Sequence, residues 1–207
     1  MFSRKKRRNL NITCCQVMLI ILTLLVPCIV AAGEPTDRIK AVTDRLLAII
    51  SSPEGNTPED WKARKRMIRE TVDQVFDWEA FSRRALANYW SQMSSEEKKE
   101  FVHLFSQLIE QTYIDKTKQY SGEKVLFLGE RIDGKYGEVH TKVVTKDGRE
   151  IKVDYRVFKK AEGWYVYDIY VEGVSFVNNY RVQFNNIITR SSYEGLIKRL
   201  KEKLVSE

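Results

Sequence analysis

From Thr36 to about Tyr120 apolar side chains recur every third or fourth residue, from Lys124 to Val171 every second, and beyond Gly173 the longer period returns. That change of period predicts helices, then strands, then helices again. The first helix, residues 36–50, places Ile39, Val42, Leu46, Ile49 and Ile50 on one face, and "SSPEGN" ends it in a loop. Thr57, Pro58 and Asp60 then supply an N-cap, a first-position proline and a capping-box partner. The second helix turns Trp61, Ile68, Val72, Val75 and Phe76 inward. Asp77 caps a third, carrying Phe81, Leu86 and Trp90. Ser94 and Glu97 open a fourth that runs from Ser95 to about Tyr120. Its apolar residues, from Phe101 and Phe105 through Leu108 and Ile109 to Tyr113 and Ile114, cover more than one ordinary stripe. Such a helix packs on two sides, or gives one side to a ligand.

The segments "KVLFLGERI", "YGEVHTKVVT", "REIKVDYRVF" and "WYVYDIYVEG" alternate as strands. Asp133-Gly134 and Asp147-Gly148 mark hairpins, and "KKAEG" joins the last pair. In the third strand Ile151, Val153, Tyr155 and Val157 face one way. In the fourth, strict alternation puts Tyr165, Tyr167, Ile169 and Val171 on one face, with Trp164, Val166, Asp168 and Tyr170 on the other. A strand apolar on both faces is central or covered twice. Ser175 is the expected cap of the next helix, and "YEGLIKRLKEKL" closes the chain. The expected fold is α+β: a twisted four-stranded antiparallel meander with helices before and after it, enclosing an apolar pocket.

The amino terminus changes how composition reads. Arg4, Lys5, Lys6, Arg7 and Arg8 precede an uncharged run from Val17 to Ala32 that ends Val30-Ala31-Ala32. This is the form of a cleaved secretory signal over residues 1–32, leaving one domain over 33–207. A retained anchor is the competing reading, because about 20 apolar residues span a bilayer; Pro27 and the alanine-rich exit favour cleavage. Pro27 before Cys28 argues against a lipoprotein site. Without the leader, Lys+Arg falls from 35 to 30 against 28 Asp+Glu, so the net charge drops from +7 to 30 − 28 = +2. The basic character belongs mostly to the leader, and a nucleic-acid partner is not expected. Cys14, Cys15 and Cys28 leave with it, so the remaining chain folds without disulfides.

Catalytic motifs are scarce. His103 and His140 have no metal-ligand neighbour at a usable spacing, and no nucleophile elbow, phosphate loop or dinucleotide fingerprint occurs. Asp168 and Glu172 form a possible acid/base pair, though a structural bond from Arg181 to one of them accounts for the same residues. An apolar-substrate enzyme using Asp168 is therefore one alternative. A second is an adaptor docking through the basic helix 62–69, which carries Lys62, Arg64, Lys65, Arg66 and Arg69. What stands out is the number of large rings: Trp90, Phe101, Phe105, Tyr155, Trp164, Tyr167, Tyr180 and Phe184 are expected to converge between helices and sheet and to leave room for a cavity.

The stretch "WYVYDIYVEGVSFVNNYRVQF" resembles the hallmark of the MlaC (toluene-tolerance) family of periplasmic phospholipid-binding proteins. Its matching residues are Trp164, Tyr167, Asp168, Glu172, Gly173, Val174, Ser175, Asn179, Tyr180, Arg181, Gln183 and Phe184. "FDWEAFSRRALANYW" is similar to a second family element. Two positions depart from the pattern: Asn88 stands where a glycine is expected, and Ser191-Ser192 replace another. The resemblance implies a monomeric periplasmic carrier of phospholipid as cargo, with no cofactor, no metal and no catalysis. Its implied partners are an inner-membrane ABC transporter complex and an outer-membrane lipoprotein complex. The expected pocket walls on the helices are Trp90, Phe101, Phe105, Leu108, Tyr180, Phe184 and Ile187. On the sheet they are Phe127, Val143, Val153, Tyr155, Val157, Trp164, Tyr167, Ile169 and Val171. Arg181, Asp168 and Glu172 are expected either near the head group or in structural roles.

Overall fold

The structure is a computed structural model and describes residues 34–52 and 57–206; the leader expected over residues 1–32 lies outside them. The helices are α1 (Glu34–Ser51), α2 (Pro58–Asp73), α3 (Trp78–Leu86), α4 (Ser95–Ile114) and α5 (Phe176–Ser206). Between α4 and α5 run β1 (Lys124–Asp133), β2 (Tyr136–Val144), β3 (Glu150–Lys160), β4 (Gly163–Val171) and the two-residue β5 (Val174–Ser175). They form one antiparallel sheet in chain order. Among the described residues, no helix is long and apolar enough to cross a membrane.

The starts of the helices follow local chemistry. The Asp60 amide donates to the Thr57 hydroxyl, and the Thr57 amide donates back to the Asp60 carboxylate. Ser94 and Glu97 make the same reciprocal pair ahead of α4. Asp77 caps α3 by accepting from the Ala80 amide at 2.8 Å. Each such cap is worth about 0.5–2 kcal/mol. The fourth helix stops at Ile114, six residues short of Tyr120, and continues only as the 3-10 turn Asp115–Gln119.

Both faces of β4 differ from strict alternation. The pairing with β3 shifts between Arg156 and Val157, so that Arg156 faces Asp168 while Val157 faces Val166. Tyr167 is the extra residue of this bulge, and passing it swaps the faces. Trp164 and Val166 consequently join Val139 and Val157 in a core cluster, against which Ile169 and Tyr155 also pack. Tyr165 and Tyr167 point to the opposite side. There Tyr167 meets the rings of Tyr136 and Phe158 and lies 4.0 Å beneath the Arg84 guanidinium. Ile39 and Val42 of α1 cover one end of the inner face. The Trp164 indole N–H donates to Glu34, which also pairs with Lys159.

A second, larger core joins the helices. Phe81, Phe101 and Phe105 have no exposed surface, and with Tyr180 and Phe184 they form a contiguous stack of rings. Leu86, Trp90, Leu196 and Leu200 complete it. The last helix is broken at Ser192, whose φ of 63° and ψ of 178° are not helical. Ala87, at the start of the 3-10 turn Ala87–Gln92, has φ 50° and ψ −119°. These strained positions fall at Ser192 itself and one residue before Asn88.

Candidate functional site: a hollow between helices and sheet

Between the two cores the structure leaves a cavity of about 280 Å³. Val153 and Tyr155 of β3 and Ile169 of β4 form its floor, and Tyr155 and Ile169 are direct cross-strand partners. Ile109, Tyr113 and Ile114 of α4 line one wall. Phe76, Trp78 and Phe81 line another, and Phe176, stacked at 5.1 Å on Tyr113, closes the end. Val72 and Arg69 of α2 and Glu110 of α4 lie along the rim, where Arg69 and Glu110 form an ion pair. Burial pushes the Tyr155 hydroxyl above its ordinary pKa, an effect partly offset by a hydrogen bond with Thr141. Such a group stays neutral at any physiological pH, so the floor of the hollow carries no charge.

Three of the expected wall residues, Val153, Tyr155 and Ile169, line this hollow. Others go elsewhere for identifiable reasons. Trp90, Phe101, Phe105, Leu108, Tyr180 and Phe184 lie in the helix core, with Ile187 packed against it, and their rings pack on one another instead of around a space. Val157 and Trp164 lie in the sheet core under α1, with Phe127 against them. Tyr167 is turned away by the bulge. Val143 pairs with Val125 and Ile151, and Val171 with Val153 and Val174, toward the strand ends; neither lines the cavity. Sequence reasoning missed the other eleven lining residues: Arg69, Val72, Phe76, Trp78, Phe81, Ser106, Ile109, Glu110, Tyr113, Ile114 and Phe176. The usable signal was the overly wide apolar face of α4. Its Phe101–Phe105 side enters the helix core, and its Ile109–Tyr113 side faces the hollow.

Asp168, Glu172, Ser175 and Arg181 of the hallmark stretch make bonds within the fold. Asp168 accepts from the Ile169 amide at 2.8 Å, the Val177 amide at 3.0 Å and the Ser175 hydroxyl at 2.6 Å. Ser175 in turn accepts from the Asn178 amide, so Asp168 and Ser175 together seat the first turn of α5. Glu172 sits at φ 49° beside Gly173 at φ 78°, which makes the tight turn from β4 to β5, and its carboxylate accepts from the Lys152 amide. Arg181 reaches neither carboxylate. Its Nε donates 2.9 Å to the Arg84 carbonyl, which ties α5 to the end of α3.

The expectation that His140 lacks ligand-type neighbours is also corrected. Antiparallel register puts Asp154 opposite His140, and Glu138 shares their face, so that one ligand atom of each lies within 4.8 Å of the others. Each carboxylate already has a cationic partner: Arg156 stands 2.9 Å from Glu138 and Lys152 3.2 Å from Asp154. The arrangement is a ladder of opposite charges across the outer face of the sheet.

A sheet covered by helices around an uncharged, apolar floor with a charged rim is the architecture of a binding protein for an apolar ligand. Over residues 40–202 the chain matches the family model described as MlaC protein, and it belongs to that family. It is 21% identical over 178 residues to the "Intermembrane phospholipid transport system binding protein MlaC" of Haemophilus influenzae, covering 84% of this chain and 83% of that protein. It is also similar to the solved structure of a phospholipid-binding protein from Ralstonia solanacearum in complex with a phospholipid. There the TM-score is 0.72 and the identity 25%, over 84% of this chain and 98% of that one.

Proposed function

We propose that this protein is a periplasmic phospholipid carrier that takes acyl chains into the hollow between α2, α4 and the sheet and passes them between the two membranes of the envelope. The observation that carries the reading is the hollow itself, with an apolar floor and a rim able to meet a polar head. The relatives named above, one an intermembrane phospholipid transport protein and one crystallised with a phospholipid, support it. An inner-membrane ABC transporter complex and an outer-membrane lipoprotein complex would deliver and receive the cargo, and a cleaved leader would bring the chain to its compartment.

The energetics explain why a carrier is needed. Each methylene costs about 0.8 kcal/mol in water, so two sixteen-carbon tails cost roughly 25 kcal/mol when exposed. A methylene takes up about as much room as a water molecule, ~30 Å³, so a 280 Å³ hollow holds roughly nine of them. That is more than half of one tail. Full loading therefore requires the walls to part, and α2, which packs on α1 and only lightly on α4, is the wall with the least to lose. No chemistry is needed for this function. Asp168, the base of the enzymatic alternative, is occupied by three donors and does not line the hollow.

The test is native mass spectrometry of the purified protein with extraction of its lipid. Phospholipid bound in whole-number stoichiometry is expected. Protein that stays empty after incubation with phospholipid vesicles would reject the proposal.

A further inference from the structure

The rim of the hollow has a feature that an apolar pocket alone does not require. Among the described lining residues the charged ones are Arg69 and Glu110, and they contact each other across the gap between α2 and α4. Both side chains are partly buried, with 34% and 24% of their surface exposed. A half-buried ion pair contributes little net stability, because desolvation offsets most of the attraction, and an apolar pair would close the wall as well. Asp73, one turn along α2 and 3.7 Å from Arg69, holds the guanidinium at the rim.

Resting on the carrier reading, we propose that Arg69 is the phosphate-recognising residue of the site. In the empty protein the Glu110 carboxylate occupies the guanidinium. With tails in the hollow, the phosphodiester of the cargo arrives at the rim and takes over the planar, two-pronged contact that arginine makes with either anion. Glu110 then turns to solvent, which its partial exposure allows. The exchange couples loading to the release of a bond between α2 and α4, the two walls that must separate. Arg69 thereby selects lipids that carry a phosphate, and Glu110 is the anion that the phosphate displaces.

The experiment offers the full chain vesicles containing a phospholipid and a diacylglycerol with the same tails, and counts both bound species by native mass spectrometry. The wild type is expected to favour the phospholipid. Arg69→Gln should reduce that preference about tenfold or more, since a hydrogen bond to a charged group is worth about 1.5–3 kcal/mol. Arg69→Lys should retain part of it, and Glu110→Gln should raise phospholipid uptake by removing the competing anion. Thermal melts of each variant confirm folding. An unchanged lipid ratio in Arg69→Gln overturns the inference while leaving the carrier reading intact. A wild type that takes up neither lipid overturns both. Saturable binding of inorganic phosphate alone, abolished by Arg69→Gln, would assign Arg69 to a free-anion site and also overturn it.

Discussion

Replacing Asp168 tests the claim that the hallmark stretch is built around one structural carboxylate. Asp168 is 5% exposed and accepts from two backbone amides and one hydroxyl. Alanine leaves the Ile169 and Val177 amides without a partner, at about 1–3 kcal/mol each. It also loosens Ser175, the cap of α5. The sum, about 4 kcal/mol, is a large part of the 5–15 kcal/mol that typically holds a domain together. For a domain of this size it corresponds to a fall in Tm on the order of 10 °C. Asparagine keeps an oxygen for both amides but gives up the charge and the acceptor of the Ser175 hydroxyl, so Asp168→Asn should cost about 1–2 kcal/mol. Urea titration followed by tryptophan fluorescence measures both, and lipid extraction shows whether the asparagine variant still loads. Asp168→Ala within 1 kcal/mol of wild type would refute the structural role. Asp168→Asn that folds and loads lipid but loses an enzymatic turnover would restore the catalytic alternative.

Other expectations follow from particular residues. Ala87→Gly should raise Tm by about 2–4 °C, because φ 50° with ψ −119° strains any side chain by about 1 kcal/mol or more; calorimetry gives the answer, and no gain would mean the turn is relaxed. Ile169→Trp fills the hollow from its rigid floor, so bound phospholipid should fall sharply in extraction assays while the melting curve stays close to wild type. The bonds from Lys159 and Trp164 hold the Glu34 carboxyl below its ordinary value of 4.5. A carboxylate with a depressed pKa stabilises the fold above its unfolded value and loses that contribution as pH falls through the folded one. Glu34→Gln should therefore flatten the acid side of the Tm–pH profile and leave its slope near neutrality unchanged.

Local signals in the sequence were sufficient for the elements. Thr57, Asp77, Ser94 and Ser175 each cap the helix that their position announced. The switch from a helical period to alternation located the sheet, and Glu172-Gly173 its last turn. The location of the hollow was less legible, because it depends on which faces meet. The bulge at Tyr167 adds one residue to β4, and a single added residue reverses every side chain beyond it. Strict alternation therefore separated Trp164 and Val166 from Ile169, with which they share a core, and grouped Tyr167 with Ile169 by mistake. Ring count was the second misleading guide. Aromatic side chains dominate core energetics, and Phe101, Phe105, Tyr180 and Phe184 satisfy one another edge to face. The space is left instead where aliphatic strand residues meet the second side of α4. The Arg69–Glu110 rim pair is separated by 41 residues and belongs to no local pattern, so only the folded arrangement brings it into view.

The most direct test of the hollow as the acyl-chain site is photo-crosslinking with a phospholipid that carries a diazirine near the end of one tail, followed by peptide mapping. The hollow account expects label on Tyr155, Ile169, Ile109 and Phe176. Label confined to Trp90, Phe101 and Phe184, or scattered over exposed surface, would contradict it.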